Sequence, residues 1–299
     1  MITHSTAIYT TIYPNVEPFL KDWIESVLSQ SDLSFTIWIG ADNLKAQCSA
    51  ISIALDDKVR WVHAKPGENP TELRRRALLK LADEHNTVVL VDSDDLIDPD
   101  RVGVAKEQLR DADLVACSMR IVDRSGLDSG CVYKVAENAG QEFPLLTHHF
   151  GCSNSAWRTA VLKDCLKDGL NGPALDWMLV CRAWLQGARI LGDPVVRHSY
   201  RQYGENTARV LPPFGLRCTR TATRTVKNHL KSLNKIEMLP HPVKESLENR
   251  LRQVVDFQSA LKGTTPWFKN YQNALGNFEF PLPWWLFVAH PKLEKLWQN

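Results

Sequence analysis

The sequence predicts an α/β protein: a mostly parallel sheet with helices on both faces, followed by a C-terminal helical segment. Three observations carry this. Short β-branched runs alternate with helical patterns up to about residue 200, the signature of strand–helix–strand units. One run, 87–91, is dominated by Val and Leu, as in strands buried on both faces. Beyond Pro212 and Pro213 the alternation stops, and helical and then aromatic, Pro-rich sequence follows. The expected organisation is therefore a main domain at 1–211 and a helical, aromatic-rich appendage at 212–299.

The elements read in order as follows. Residues 7–12 form a first strand, and Leu20, Trp23, Ile24, Val27 and Leu28 share one helical face, with Asn15 placed to cap that helix. Strands are expected at 35–39 and 59–63, with a weaker helix at 44–55 between them. Pro, Gly and Asn make 65–70 a loop, and 71–84, rich in Leu, Ala and Arg, is a helix. After the strand at 87–91, helices are expected at 154–166 and 175–186 and a strand at 189–196. Ligands of such sheets bind beyond the carboxyl ends of the strands, which points to 11–15, 40–43 and 92–98.

Composition narrows the function. The chain has 299 residues, 44% of them hydrophobic and 23% charged, the balance of a soluble globular protein. Thirty-six basic residues against 34 acidic ones leave a formal charge of +2, which argues against a nucleic-acid polymer as partner. The seven cysteines are widely spaced and form no C-x-x-C pair, as expected of reduced thiols. The N-terminus lacks a signal-peptide pattern, and no apolar run nears the ~20 residues of a membrane span. The expected location is cytoplasmic, with peripheral contact at the inner face of a membrane as a further option.

The main chemical signal is Asp92-Ser93-Asp94-Asp95, at the end of the apolar run Val88-Val89-Leu90-Val91. Carboxylates crowded at a strand end repel one another, and a hard cation offsets that repulsion. Mg²⁺ or Mn²⁺ binds one or two carboxylates and completes its shell with phosphate oxygens. The plainer alternative is a solvated turn that caps a helix starting near Pro99. An EF-hand is excluded, because Leu96 and Ile97 stand at its fifth and sixth loop positions. A haloacid-dehalogenase-type phosphatase carries D-x-D on its first strand, not its fourth.

With these motifs the sequence resembles the family 2 glycosyltransferases of the GT-A fold. Thr10-Thr11-Ile12-Tyr13-Pro14-Asn15 is similar to the family's opening strand and turn, and 19–30 to its first helix. Gly40-Ala41-Asp42-Asn43 stands at the base-reading turn, Leu90 to Asp95 with Asp98-Pro99 at the D-x-D-D motif, and Leu175-Asp176-Trp177 at a later acidic motif. Tyr200-Arg201-Gln202-Tyr203-Gly204-Glu205-Asn206-Thr207 resembles the family's Y-R-Q-H-G-x-N. Three departures stand out: Ala41 for an Asp, Leu175 for a Glu and Tyr203 for a His, with His198 nearby as a substitute.

The resemblance, which covers about 5–210, implies an inverting, metal-dependent hexosyl transfer of the kind used in polysaccharide biosynthesis. The sugar moves from a nucleotide diphosphate donor, UDP-sugar favoured, to a hydroxyl of a glycan or lipid-linked acceptor. It implies donor contacts from Thr11, Asn15, Asp42, Arg75, Asp92, Ser93 and Arg201, and Mn²⁺ or Mg²⁺ held by Asp94 and Asp92. Asp42 alternatively forms an Asx turn with Asn43. Among Arg74, Arg75 and Arg76, at most two can face one site on a helix, and counting back from Ala82 favours Arg75. Asp176 is the candidate general base, desolvated by Leu175 and Trp177, or else a helix cap. Cys152, Ser153 and Trp177 are placed toward the acceptor, although Trp157, Trp177 and Trp184 equally suit a core.

Two rival functions remain open at this level: a metal-dependent phosphohydrolase built on the acidic loop, and a non-catalytic module that binds sugar nucleotides or glycans. Further along, Arg217, Arg220, Arg224, Lys227, Lys231 and Lys235 recur every three or four residues, beside a stripe of Thr219, Thr223, Val226, Leu230 and Leu233. This basic face fits a peripheral membrane contact through 216–235, or else a solvated surface.

Overall fold

The computed structural model describes residues 5–42, 59–167, 174–204, 206–237, 239–263 and 266–298. The helix expected at 44–55, and Asn43 beside Asp42, lie outside these. The sheet begins with β1 (Thr6–Ile12), β2 (Phe35–Ala41), β3 (Val59–His63) and β4 (Thr87–Leu90). It continues with β5 (Leu96–Ile97), β6 (Leu114–Val122), β7 (Asp128–Tyr133), β8 (Ser155–Arg158) and β9 (Ile190–Arg201). The strand order is β3-β2-β1-β4-β8-β6-β9-β5, with β7 on β6. The first four strands pair in parallel, as do β6 and β9. The insertion of β8 between β4 and β6 is antiparallel to both, so the sheet is mixed in its second half.

The helices are α1 (Leu20–Leu28), α2 (Pro70–Glu84), α3 (Arg101–Gln108), α4 (Thr159–Cys165) and α5 (Leu175–Leu185). The C-terminal region adds α6 (Leu216–Leu233), α7 (His241–Ala260) and α8 (Pro266–Leu275). α2 starts where its local chemistry demands: the Asn69 side chain accepts the Glu72 amide at 3.0 Å, and Pro70 follows it. One face of the sheet is covered by α1 and α3, around Trp23, Ile24, Val89 and Val102. The other lies under α2 and α5 in a core that runs on without interruption into α6, α7 and α8.

Three local expectations are corrected. Asn15 caps nothing: Pro14–Phe19 is a 3-10 turn, so α1 starts only at Leu20, and Asn15 is exposed. The helix expected at 154–166 begins with β8, because Ser155 to Trp157 pair with β6, and β4 takes the other edge. The six basic residues do not form one free face. Arg220 donates to the Leu261 carbonyl at 2.6 Å, and Lys227 to Gln258 at 2.6 Å. Arg217, Arg220, Arg224, Lys231 and Lys235 are exposed, while the apolar stripe of α6 is buried.

The C-terminal segment reaches back to the sheet through Trp284. Its indole lies 4.7 Å from the Tyr133 ring and donates to the Tyr200 hydroxyl at 3.3 Å. Arg250, buried, fixes the chain beyond by donating to the carbonyls of Val288 and Ala289 at 2.7 and 2.6 Å. A methyl group added at Gly151 would meet the Trp284 ring at 2.7 Å. Gly151→Ala is therefore expected to lower stability by about 1–3 kcal/mol, the range for overpacking. Urea unfolding checks this, and an unchanged midpoint would show that Trp284 is free to shift.

Candidate active site

β4 delivers the acidic loop, and the four residues after Val91 face different ways. The Asp92 carboxylate accepts Ser153 Oγ at 2.8 Å and faces Arg74 Nη2 at 3.5 Å. Ser93 turns inward and donates to the Thr11 carbonyl at 2.7 Å. Asp94 Oδ2 accepts the Tyr203 hydroxyl at 2.6 Å. Asp95 is buried beneath the loop, with Oδ1 on the Arg201 amide at 2.8 Å and Oδ2 on His198 Nε2 at 3.0 Å.

Arg201 ties the loop to its surroundings. Its guanidinium, wholly buried, donates to the Asp94 carbonyl at 2.7 Å, the Arg124 carbonyl at 2.8 Å and Asp22 at 2.9 Å. Asn206 then sets the position of Tyr203: its Oδ1 accepts the Tyr203 amide, and its amide donates to the Arg201 carbonyl at 3.1 Å.

This packing sets the charge of the loop. Burial, followed by the neighbouring Asp95 and Asp92, pushes the Asp94 pKa up to about 7. Asp95 is raised well above the carboxylate range by burial and Asp92, and burial holds His198 down to about 3. Tyr203 stays a neutral phenol, raised by burial and by Asp94.

Above the loop is a cleft of about 760 Å³. Thr11, Tyr13 and Asp42 line it from the ends of β1 and β2, and Asn69, Thr71 and Arg74 from the start of α2. Asp92, Asp94, Cys152 and Ser153 form the floor, with Leu175 and Asp176 from the first turn of α5. Tyr200, Tyr203 and Asn206 close one side, and Trp284 and Trp285 another. The Asp176 carboxylate is 29% exposed and its Oδ1 accepts the following amide, that of Trp177, at 2.9 Å. The N-cap position of α5 is Ala174, which has no side-chain cap, and Asp176 stands in the first turn.

Of the residues proposed from sequence, Thr11, Asp42, Asp92, Asp94, Cys152, Ser153 and Asp176 line this cleft. Five do not. Asn15 is exposed outside it. Arg75 donates to the Leu166 carbonyl at 2.9 Å, on the far flank of α2, and it is Arg74 that reaches the cleft, with Nε on Thr11 Oγ1 at 3.3 Å. Ser93 and Arg201 support the loop from below. Trp177 is buried, donating to the Pro144 carbonyl at 2.6 Å. His198 braces Asp95, and Tyr203 is the residue of that segment that stands in the cleft. Arg74 takes the place for which the sequence favours Arg75, Tyr13 belongs to the loop 11–15 expected at the site, and nothing local in the sequence links Trp284 and Trp285 to the cleft.

The donor set fits a hard divalent cation. Asp94 offers a carboxylate oxygen to the cleft, with the Tyr203 phenol as its donor. No group of three His, Cys, Asp or Glu residues able to hold a metal occurs among the described residues. Mg²⁺ and Mn²⁺ do not need such a cage, since phosphate oxygens and water complete their shell.

The raised Asp94 pKa has a stability consequence. The folded form keeps its proton up to about pH 7, whereas the unfolded carboxyl loses it near 3.8. Without metal, stability is expected to fall as pH rises from about 4 to beyond 7, by on the order of a few kcal/mol. Asp94→Asn should flatten this slope in thermal melts run from pH 5 to 8. A slope unchanged by Asp94→Asn would place its origin in another group.

No curated protein matches the chain. Among solved structures it resembles residues 1–349 of S. aureus TarS in complex with UDP-GlcNAc, with a TM-score of 0.58 and 18% identity over 98% of this chain and 83% of that one. It also resembles the mannosyltransferase PcManGT from Pyrobaculum calidifontis in complex with GDP-Man and Mn²⁺, with a TM-score of 0.60 and 13% identity over 98% and 85% of the two chains. These likenesses establish the GT-A fold. The glycosyl transferase family 2 profile matches residues 8–163, more than half of the sequence. The chain belongs to glycosyl transferase family 2.

Proposed function

We propose that this protein is an inverting glycosyltransferase that moves a sugar from a nucleotide diphosphate donor, a UDP-sugar in the first instance, to a hydroxyl of a glycan or lipid-linked acceptor. The carrying observation is that Asp42, the Asp92 and Asp94 pair, and Asp176, drawn from three distant stretches of sequence, line one cleft together with Arg74. The folds related to this one include proteins holding UDP-GlcNAc and GDP-Man with Mn²⁺, which supports a nucleotide-sugar donor without fixing the base.

The residues take the following parts. Asp42, at the end of β2, receives hydrogen bonds from the base, and Thr11 and Arg74 lie along the diphosphate. Asp92 faces the ribose or the sugar. Asp94, with Asp92, would hold Mn²⁺ or Mg²⁺, which supplies positive charge to the departing diphosphate. Asp176 takes the proton of the acceptor hydroxyl as its oxygen bonds to the anomeric carbon. The bond from that carbon to the diphosphate oxygen breaks, and its electron pair leaves with the diphosphate. Tyr203 and Arg201 hold the loop still throughout.

Incubation with UDP-GlcNAc, other UDP-sugars and GDP-mannose, with Mn²⁺ and candidate acceptors, should give acceptor-stimulated release of nucleotide diphosphate. Asp176→Asn should lower that rate by at least ~10²-fold, the range for loss of a general base, with little change in donor affinity. Release of inorganic phosphate without acceptor would favour a phosphohydrolase, and donor binding without turnover a binding module.

No helix among the described residues is long and apolar enough to cross a membrane. Of the exposed basic residues, Arg217, Arg224, Lys231 and Lys235 are the part of α6 and its end that we assign to anionic lipid, at about 1 kcal/mol each near such a surface. Salt-sensitive co-sedimentation with anionic but not neutral vesicles is the expected result. Equal behaviour toward both would reduce this face to a solvated surface.

A further inference from the structure

Tyr203 is held over the acidic loop from several sides. Its ring lies 5.0 Å from the Phe19 ring, and the Arg124 guanidinium sits 5.5 Å from both. Asn206 accepts the Tyr203 backbone amide and donates in turn to the Arg201 carbonyl at 3.1 Å. This packing delivers the hydroxyl to a single carboxylate oxygen, Asp94 Oδ2, at 2.6 Å. An ionised carboxylate only accepts, so the phenol proton lies on that bond. The Tyr13 hydroxyl, 3.4 Å away, is then the donor toward the Tyr203 oxygen.

A bond this short to a carboxylate is of the charge-assisted kind, among the stronger hydrogen bonds. Its consequence is orientation. The last torsion of an aspartate is broad, so an unheld carboxylate offers a cation either oxygen or both. With Oδ2 engaged by the packed phenol, the plane of the Asp94 carboxylate is set and Oδ1 is left for the cation. Cations differ in what they accept: Mg²⁺ demands a near-ideal octahedron of oxygens, a geometry it shares with Mn²⁺, whereas Ca²⁺ takes a larger, flexible shell with carboxylates bound through one oxygen or two. We propose that Tyr203 is a positioning residue for the cation: its bond to Oδ2 holds Asp94 as a one-oxygen ligand and so selects Mg²⁺ or Mn²⁺ over Ca²⁺. This rests on the reading of Asp94 as the cation's ligand. Since no group of three His, Cys, Asp or Glu residues able to hold a metal occurs among the described residues, the orientation of each carboxylate that does take part counts for more.

The test is UDP binding by titration calorimetry at pH 8, above the Asp94 pKa of about 7, in Mn²⁺, Mg²⁺, Ca²⁺ or EDTA. The wild type should bind UDP more tightly with Mn²⁺ or Mg²⁺ than with Ca²⁺, and most weakly in EDTA. Tyr203→Phe keeps the ring and its packing on Phe19 and loses only the hydroxyl. It should weaken binding about 10- to 100-fold with Mn²⁺ or Mg²⁺, the range for losing a partner that orients a metal ligand, less with Ca²⁺, and little in EDTA. The cation–UDP equilibria in solution are the same for both proteins, so the narrowed preference over Ca²⁺ belongs to the site. Asn206→Ala, which frees the Tyr203 backbone and keeps the phenol, should narrow the preference in the same direction, and it carries the test if Tyr203→Phe does not fold. A loss of equal size in EDTA would make Tyr203 a direct contact of the nucleotide and overturn the proposal. An unchanged preference over Ca²⁺, or tighter binding with Mn²⁺ in Tyr203→Phe, would overturn it as well. A cation effect abolished by Asp94→Asn but intact in Tyr203→Phe would remove only the role of Tyr203; wild-type binding indifferent to every cation would remove that role and the reading of Asp94 together.

Discussion

Three carboxylates at the end of a buried strand are the constraint on which the site depends. Burial opposes charge on Asp94 and Asp95, and their carboxylate neighbours oppose it further. The fold resolves the conflict by treating them differently. Asp95 is turned under the loop, against the backbone amide of Arg201 and the neutral His198. Asp94 is left toward the cleft with one phenol donor, and Asp92 is shared between Ser153 and Arg74. The result is a rigid loop with negative charge directed to one side, the arrangement that suits a cation brought in with a diphosphate.

The side chain that makes this possible is Arg201. A buried guanidinium is costly unless its donors are met, and here they meet the Asp94 carbonyl, the Arg124 carbonyl and Asp22. The strand β9 carries Arg201 and His198 together, and its continuation brings Tyr203 over the cleft. One strand thus supplies both the underside and one wall of the acidic loop. The C-terminal helices do comparable work on the opposite wall. They lie beyond the 8–163 region of the family match, yet Trp284 and Trp285 line the same cleft. Trp284 also packs on His148, whose Nε2 lies 3.9 Å from Asp176 Oδ1.

The fold class, the family and the acidic loop were legible because they are written in local pattern: an apolar run that ends in aspartates, and strand–helix alternation before it. What was not legible depends on partners distant in sequence. β8 looks helical until β6 and β4 are placed beside it. On α2, consecutive side chains point about 100° apart, and the burial of Leu73, Ala77, Leu78 and Leu81 leaves Arg74, not Arg75, turned to the cleft. The same geometry separates Asp176 from Trp177: with one in the cleft, its neighbour is turned into the core. Nothing near Trp284 in sequence announced its contact with Gly151 or Tyr133. The change of His to Tyr at 203 was visible, but its hydroxyl on Asp94 could be seen only in three dimensions.

In the proposed reaction a divalent cation and a nucleotide diphosphate arrive together at Asp94 and Asp92. Crystals soaked with UDP and Mn²⁺ test it most directly, through the anomalous signal of manganese. A single peak is expected at coordination distance from an Asp94 oxygen and from the diphosphate, with the base toward Asp42. A well-ordered diphosphate in the cleft with no manganese beside Asp94, its charge met by protein cations instead, would contradict it.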